Sequence, residues 1–214
     1  MFRTRRAILA WTAGLIWASL TAGGFASLWR YEYTPGQQQK LGSAWPAGTS
    51  IPLESQRFTL VVFMHPQCPC SDATVDELTR LMTICQGKLI AHALFIRPGG
   101  FASGWEKTTL WRDAARIPGV FAACDPNGVE AKRFGAFTSG QTALYDPAGH
   151  LLFQGGITES RGHGGDNAGA DAIVNLVLHH NTAATATTRP GETAVFGCSL
   201  FDQPTPSKSR SPNQ

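Results

Sequence analysis

Apolar residues run without a charge from Ala7 to Trp29, AILAWTAGLIWASLTAGGFASLW. As a helix those 23 residues span ~34 Å, enough for a hydrocarbon core of about 30 Å. The stretch 1–30 therefore reads as a short stub followed by a transmembrane helix. Residues 31–56 carry Gly36, Gly42, Pro46, Gly48, Pro52 and a glutamine run, with no apolar period. They read as a linker or loose lead-in. Regular pattern begins at Phe58–Met64, FTLVVFM, a continuous apolar run of the kind a doubly covered parallel strand needs. A helix is expected from about Ser71 to Gln86, with Leu78, Leu81, Met82 and Cys85 on one face and Gly87 as the stop. Leu89–Ile96 predicts a second strand, Trp105–Ile117 a helix, Val120–Ala123 a third strand and Val129–Phe134 a short helix. Thr142–Tyr145 and Leu151–Gln154 flank Asp146-Pro147-Ala148-Gly149, a hairpin signal. Gly169–His180 closes the series as a helix. The order βαβαβαββα predicts an α/β domain over 57–180 with a mixed central sheet flanked by helices. Beyond it, 181–192 is low in complexity, 194–201 is an apolar island expected to pack back on the domain, and the stretch from Gln203 is expected to be disordered.

Charge refines the picture in two places. The net charge is +3, yet residues 57–180 hold 10 Lys+Arg against 11 Asp+Glu, so the domain has no basic stripe and nucleic-acid binding is not expected. The excess sits at Arg3, Arg5 and Arg6, ahead of the apolar run, with Arg30 after it. That bias predicts a single-pass inner-membrane anchor through residues 7–29, with the soluble domain on the periplasmic or extracytoplasmic side. The competing reading is a cleaved signal peptide, with small residues at Ala22, Gly24 and Ala26. Either route exports the five cysteines to a compartment where disulfides persist.

The chemistry centres on Cys68-Pro69-Cys70-Ser71, between the first strand of the domain and its helix. A helix N-terminus stabilises a thiolate, the form that attacks disulfides and binds metals. Phe63 lies five residues before Cys68, and Phe134-Gly135 precedes a turn, the hairpin and the last helix. In these features residues 57–180 resemble the thioredoxin superfamily. The nearest resemblance is to small membrane-anchored bacterial proteins of the RedB-like kind, on four motifs: His65–Cys70, Thr138–Gly140, Ser160–Asn167 and Phe196–Cys198. Two departures stand out. The second cysteine of the family's C-x-x-C falls at Ser71, with Cys70 giving C-x-C instead, and the family's cis-proline slot falls at Gly140.

The resemblance implies thiol–disulfide chemistry on protein thiols or disulfides, with no bound cofactor. Cys68 would be the nucleophile, and either Cys70 or Cys198 would resolve. His65, three residues before Cys68, offers an imidazole for the thiolate or serves only to shape the turn. His163 lies in a long Gly-rich loop with Arg161 and Asp166. It is expected near the cysteines, with Asp166 orienting the ring. The bland reading of the loop is that Asp166 or Asn167 caps the final helix. Cys85 and Cys124 read as core, and His179 and His180 as helix-end residues. Cys198 is open to a structural disulfide, a resolving role or metal ligation. The rival function is a copper-delivery module holding Cu(I) with Cys68, Cys70 and His163. A peroxidase built on Cys68 ranks last, because the polar pocket it needs is not evident. No C-x-x-C-H haem site and no phosphate-binding P-loop occur.

Overall fold

The computed structural model describes residues 2–179 and 190–201, and divides the chain into units 1–34 and 35–214. The expectations for His180, for 181–189 and for the stretch from Gln203 concern residues outside those described. The first unit is helix α1, Phe2–Tyr33. Its stretch Ile8–Tyr33 is long and apolar enough to cross a membrane. The helix outruns the apolar segment because nothing opposes it before Thr34-Pro35, where the pre-proline residue disfavours helical dihedrals.

The second unit is built on a six-stranded mixed sheet of order β3-β2-β1-β4-β5-β6. The strands are β1 Phe58–Met64, β2 Leu89–Arg97, β3 Val120–Pro126, β4 Gln141–Tyr145, β5 Leu151–Gly155 and β6 Gly191–Glu192. β1, β2 and β3 are parallel, β4 is antiparallel to β1, and β5 is antiparallel to β4. The helices are α2 Ser71–Ile84, α3 Thr109–Arg116, α4 Val129–Arg133 and α5 Ala168–His179. α3 is shorter than the expected Trp105–Ile117. Gly104 takes a positive φ and the next residues form turns, so Trp105 folds against His65 instead of opening the helix.

Alternation along β1 sorts the core into two layers. Leu60, Val62 and Met64 join Leu78, Leu81 and Cys85 of the α2 segment and Ile173 and Val177 of α5. Val61 and Phe63 face the opposite layer, with Ala131 and Phe134 of the α4 segment. This second layer is finished by the segment expected to be a linker. Ile51 is buried in it, Leu41, Trp45 and Leu53 pack on it, and Trp45 meets the rings of Phe134 and Tyr145 edge-on. Glu130 fixes the same segment by accepting from the Thr49 hydroxyl and the Ser50 N–H. Residues 35–56 are thus part of the domain. The second layer is short of helix, and bulky side chains on irregular backbone fill it. Leu200, from the far end of the chain, completes it. Cys124 is half-buried on edge strand β3, outside both core layers.

Candidate active site

The loop from His65 to Cys70 is wound by short-range bonds. Cys68 N–H donates to His65 O at 3.1 Å, Ser71 N–H to Cys68 O at 3.0 Å and Asp72 N–H to Pro69 O at 3.4 Å. These turns lead directly into α2 and leave the Cys68 side chain only 3% exposed, with Cys70 half-buried. His65 is bonded into this loop and to the turn before β4. Its Nδ1 accepts from Gln67 N–H, its main-chain N–H donates to Ser139 Oγ, and its ring packs edge-on to Trp105. Thr108 adds a bond to Pro66 O, so the chain after β2 also braces the loop.

Cys198 arrives from the other end of the chain. Its segment lies antiparallel to the turn before β4. Ser139 N–H donates to Cys198 O at 2.8 Å and Leu200 N–H to Phe137 O at 2.9 Å, with a bridge between Thr138 and Ser199. Gly36 N–H donates to Val195 O at 2.8 Å, and the Arg161 guanidinium donates to Gly197 O. Val195 and Leu200, 1% and 0% exposed, anchor the segment on either side of the cysteine. Gly197 must be glycine, because a Cβ there would fall on the Ser139 carbonyl oxygen. The result is a clasp over Cys68, with the two sulfurs 2.7 Å apart.

The three sulfurs of Cys68, Cys70 and Cys198 lie within 4.8 Å of one another. Their acidities diverge. Cys68 is lowered to about 5, first by the hydrogen bond from the Cys198 thiol. Burial opposes the shift, while the Cys198 N–H, the Ser71 hydroxyl and the Cys70 N–H support it. Cys198 is pushed up, chiefly because its proton serves Cys68. Cys70 is pushed up by burial and then by the Cys68 charge. One thiolate held by two thiols is the arrangement expected when like charges cannot share a site.

Ser71 and Ser139 carry a role that sequence reasoning missed. Ser139 Oγ accepts the His65 N–H and lies 2.7 Å from Ser71 Oγ. Each hydroxyl has one proton to give. With Ser71 donating to Cys68, Ser139 donates to Ser71, and the chain of bonds ends on the thiolate. The signal for Ser71 was its place in the register of the family's second cysteine. Gly140, in the cis-proline slot, has φ +90° and donates its N–H to Phe63 O at 2.8 Å. Proline supplies neither that φ nor an N–H. No cis peptide occurs among the described residues.

The loop before α5 is arranged differently from expectation. Asn167 caps α5 through Ala170 N–H at 2.7 Å, which is the bland reading. Asp166 is 99% exposed and pairs with Arg80 on α2, so it does not orient His163. His163 Nδ1 is engaged with the Arg161 carbonyl, and the side chain is exposed. Its ring nitrogens are not in the cluster of ligand atoms, where Cys198 stands instead. The loop reaches the site through Arg161 and through Gly162, whose added Cβ would come 3.9 Å from Cys70 Cα. The anchor for this loop is Glu77, another residue sequence reasoning missed. It is buried on α2 and accepts from Gly165 N–H and Asn167 Nδ2 while pairing with Arg80. Of the remaining cysteines, Cys85 is buried in the first core layer and its thiol is pushed up by burial. Cys124 is pushed up to about 11, again mainly by burial.

No protein-family model and no curated protein matches the chain. Among solved structures it is similar to hypothetical protein SMc02350 of Sinorhizobium meliloti 1021, at 23% identity and a TM-score of 0.52, over 78% of this chain and 94% of that one. An uncharacterized conserved protein from Geobacillus kaustophilus superposes with a TM-score of 0.54 at 16% identity, over 81% of this chain and 94% of that one. The exposed lipoprotein thioredoxin Etrx1 of Streptococcus pneumoniae strain TIGR4 gives a TM-score of 0.44 at 14% identity, over 67% and 99%. Parallel β1 and β2 beside an antiparallel β4–β5 hairpin, with α2 and α5 on one layer and α4 on the other, make the fold of this chain thioredoxin-like.

Proposed function

We propose that the chain is an exported, membrane-anchored thiol–disulfide exchange protein whose redox couple is Cys68 with Cys198. The observation that carries this reading is the 2.7 Å approach of the two sulfurs across the clasp. Cys68 supplies a thiolate at neutral pH and Cys198 a neighbouring thiol that remains protonated until it is needed. In the oxidising direction the pair gives two electrons and the Cys198 proton to a partner disulfide, which takes a second proton from solvent to become two thiols, and the pair forms one protein disulfide. The reverse reaction oxidises a partner dithiol. In this role Cys198 takes the resolving place that the C-x-C pair offers to Cys70, and Cys70 is left to a different task. The four motifs of the RedB-like resemblance meet at this one place, which supports the reading. Helix α1 would hold the domain at the inner membrane, with Arg3, Arg5 and Arg6 on the cytoplasmic side.

The test is disulfide mapping on the full chain in detergent, oxidised and then reduced. A reducible Cys68–Cys198 bridge is expected, with the chain retained in membranes after a high-salt wash. A bridge confined to Cys68–Cys70, or no reducible bridge, overturns the couple. A soluble mature chain beginning near Ala26 overturns the anchor.

A second reading follows from the same cluster. Three sulfurs within 4.8 Å form a soft donor set suited to Cu(I). It differs from the set expected from sequence by replacing His163 with Cys198. Copper assayed in the reduced sample separates the two readings, since stoichiometric metal lost on Cys198→Ala favours delivery over exchange.

A further inference from the structure

The sulfur best suited to react is the one least able to meet a partner. Cys68 is 3% exposed, while Cys70 and Cys198 are both half-buried. The cover over Cys68 is fixed at both ends by buried Val195 and Leu200 and along its length by main-chain bonds to Gly36, Ser139 and Phe137. A macromolecular disulfide cannot align with Cys68 under that cover. Cys198 lies within the cover itself, its carbonyl tied to Ser139 and its sulfur turned to Cys68. Cys70 differs. It stands just ahead of α2, its side chain caps no helix bond, and the loop beside it presents exposed Gly162. A Cβ at 162 would only touch Cys70 Cα, at 3.9 Å, while φ +73° there suits glycine.

We propose that Cys70 is the entry thiol of a three-sulfur relay, exchanging with protein disulfides outside and passing the bond to Cys68 and then to Cys198. This rests on the redox reading above and adds the path by which partners reach the pair. In the first step the Cys70 thiol loses its proton and attacks one partner sulfur. A Cys70–partner disulfide forms, and the second partner sulfur leaves as a thiolate that takes up a proton. In the second step the Cys68 thiolate attacks Cys70 Sγ and expels the first partner sulfur as a thiolate, which takes up a proton from solvent. The Cys68–Cys70 bond closes across a single intervening residue, and strained disulfides pass their bond on readily. In the third step Cys198 gives up its proton and attacks Cys68 Sγ, and Cys70 leaves and regains a proton. The sum is one partner disulfide reduced to two thiols, one Cys68–Cys198 disulfide formed and Cys70 restored. Burial and the Cys68 charge push the pKa of Cys70 up, which fits a slow first step that quickens with pH.

The test uses the reduced full chain in detergent against two oxidants. Insulin is the protein disulfide. Bis(2-hydroxyethyl) disulfide is the small one, able to reach half-buried Cys198 directly. Cys70→Ser is expected to slow exchange with insulin at least about tenfold, equivalent to ~1.4 kcal/mol in barrier. With the small oxidant the same variant should still form the Cys68–Cys198 bridge. In Cys68→Ser, a mixed disulfide with an insulin chain should accumulate on Cys70. Normal insulin exchange by Cys70→Ser, or trapping on Cys198, overturns the relay and leaves the redox pair standing. If Cys70→Ser makes no Cys68–Cys198 bridge with either oxidant, the redox pair itself falls and the relay with it.

Discussion

The two segments that carry the sulfurs are held in opposite ways. The loop 65–71 is wound chiefly by bonds between residues three apart, with Ser139 and Thr108 bracing it from outside. The clasp 195–201 is tied to the domain by main-chain bonds from outside it. Its partners are Gly36, Phe137, Ser139 and Arg161, all distant in the chain. The loop therefore sets where the nucleophile is, and the clasp sets how acidic it is and what it bonds to next. Position and reactivity are separable here, and each can be broken without the other.

The largest expected effect comes from the anchor of the clasp. Leu200 is fully buried in the second core layer. Leu200→Ala should cost ~2–5 kcal/mol in unfolding free energy, as buried leucines do. Exposed Ile84→Ala at the end of α2 should cost no more than about 0.5 kcal/mol. Denaturant titration of the two variants compares them. If they prove equal, the clasp is a surface decoration and the comparison fails. Next comes Gly197→Ala, which forces the clasp away from the Ser139 carbonyl while leaving the 65–71 loop intact. The equilibrium yield of the Cys68–Cys198 bridge should fall at least about tenfold, the effect of ~1.4 kcal/mol. Mapped disulfides measured in a thiol–disulfide buffer check this. An unchanged yield would mean that the clasp is looser than its contacts.

What could be read from the sequence divides along the same line. Phe58–Met64 is continuous and apolar because the strand is covered on both sides, and it folds over those residues. Asp146-Pro147-Ala148-Gly149 announces its hairpin because Asp146 accepts from Ala148 and His150 N–H groups within the turn itself. Cys68 at a strand–helix junction is legible for the same reason, since its neighbours in sequence are its neighbours in space. Trp45, Ile51 and Leu53 were illegible as core because they share no period, and what they fill is a layer short of helix. Glu77 looked like one more charge on a helix, although it is the buried partner of the loop before α5. For His163 the sequence offers only loop topology to place it by the cysteines. The backbone of that loop does reach them, at Gly162, while the imidazole turns to the Arg161 carbonyl. The nearness of Cys198 to Cys68 depends on pairings across 130 residues, which no local pattern encodes.

The smallest effect is the sharpest test of the division. Cys68 is lowered from 9.0 to about 5, and the Cys198 thiol is the largest cause. Cys198→Ala removes that donor and leaves the loop, Ser71 and the helix N-terminus in place. The pKa of Cys68 should rise by at least about one unit, each unit being ~1.4 kcal/mol. Cys198→Ser keeps a proton donor at the same position and should raise it less. Ultraviolet thiolate absorbance of the reduced chain against pH reads the midpoint without requiring access to the buried sulfur. The sign carries over to stability. Between about 5 and 9.0 the unfolded chain holds a proton that folded Cys68 has released. Stability of the reduced protein should therefore rise with pH across that window, and its contribution is lost as pH falls through about 5. In Cys198→Ala the rise should begin at a higher pH, because the folded midpoint moves up while the unfolded one stays. A midpoint that does not move would return the acidity of Cys68 to its local surroundings. The loop alone would then set both the position and the reactivity of the nucleophile.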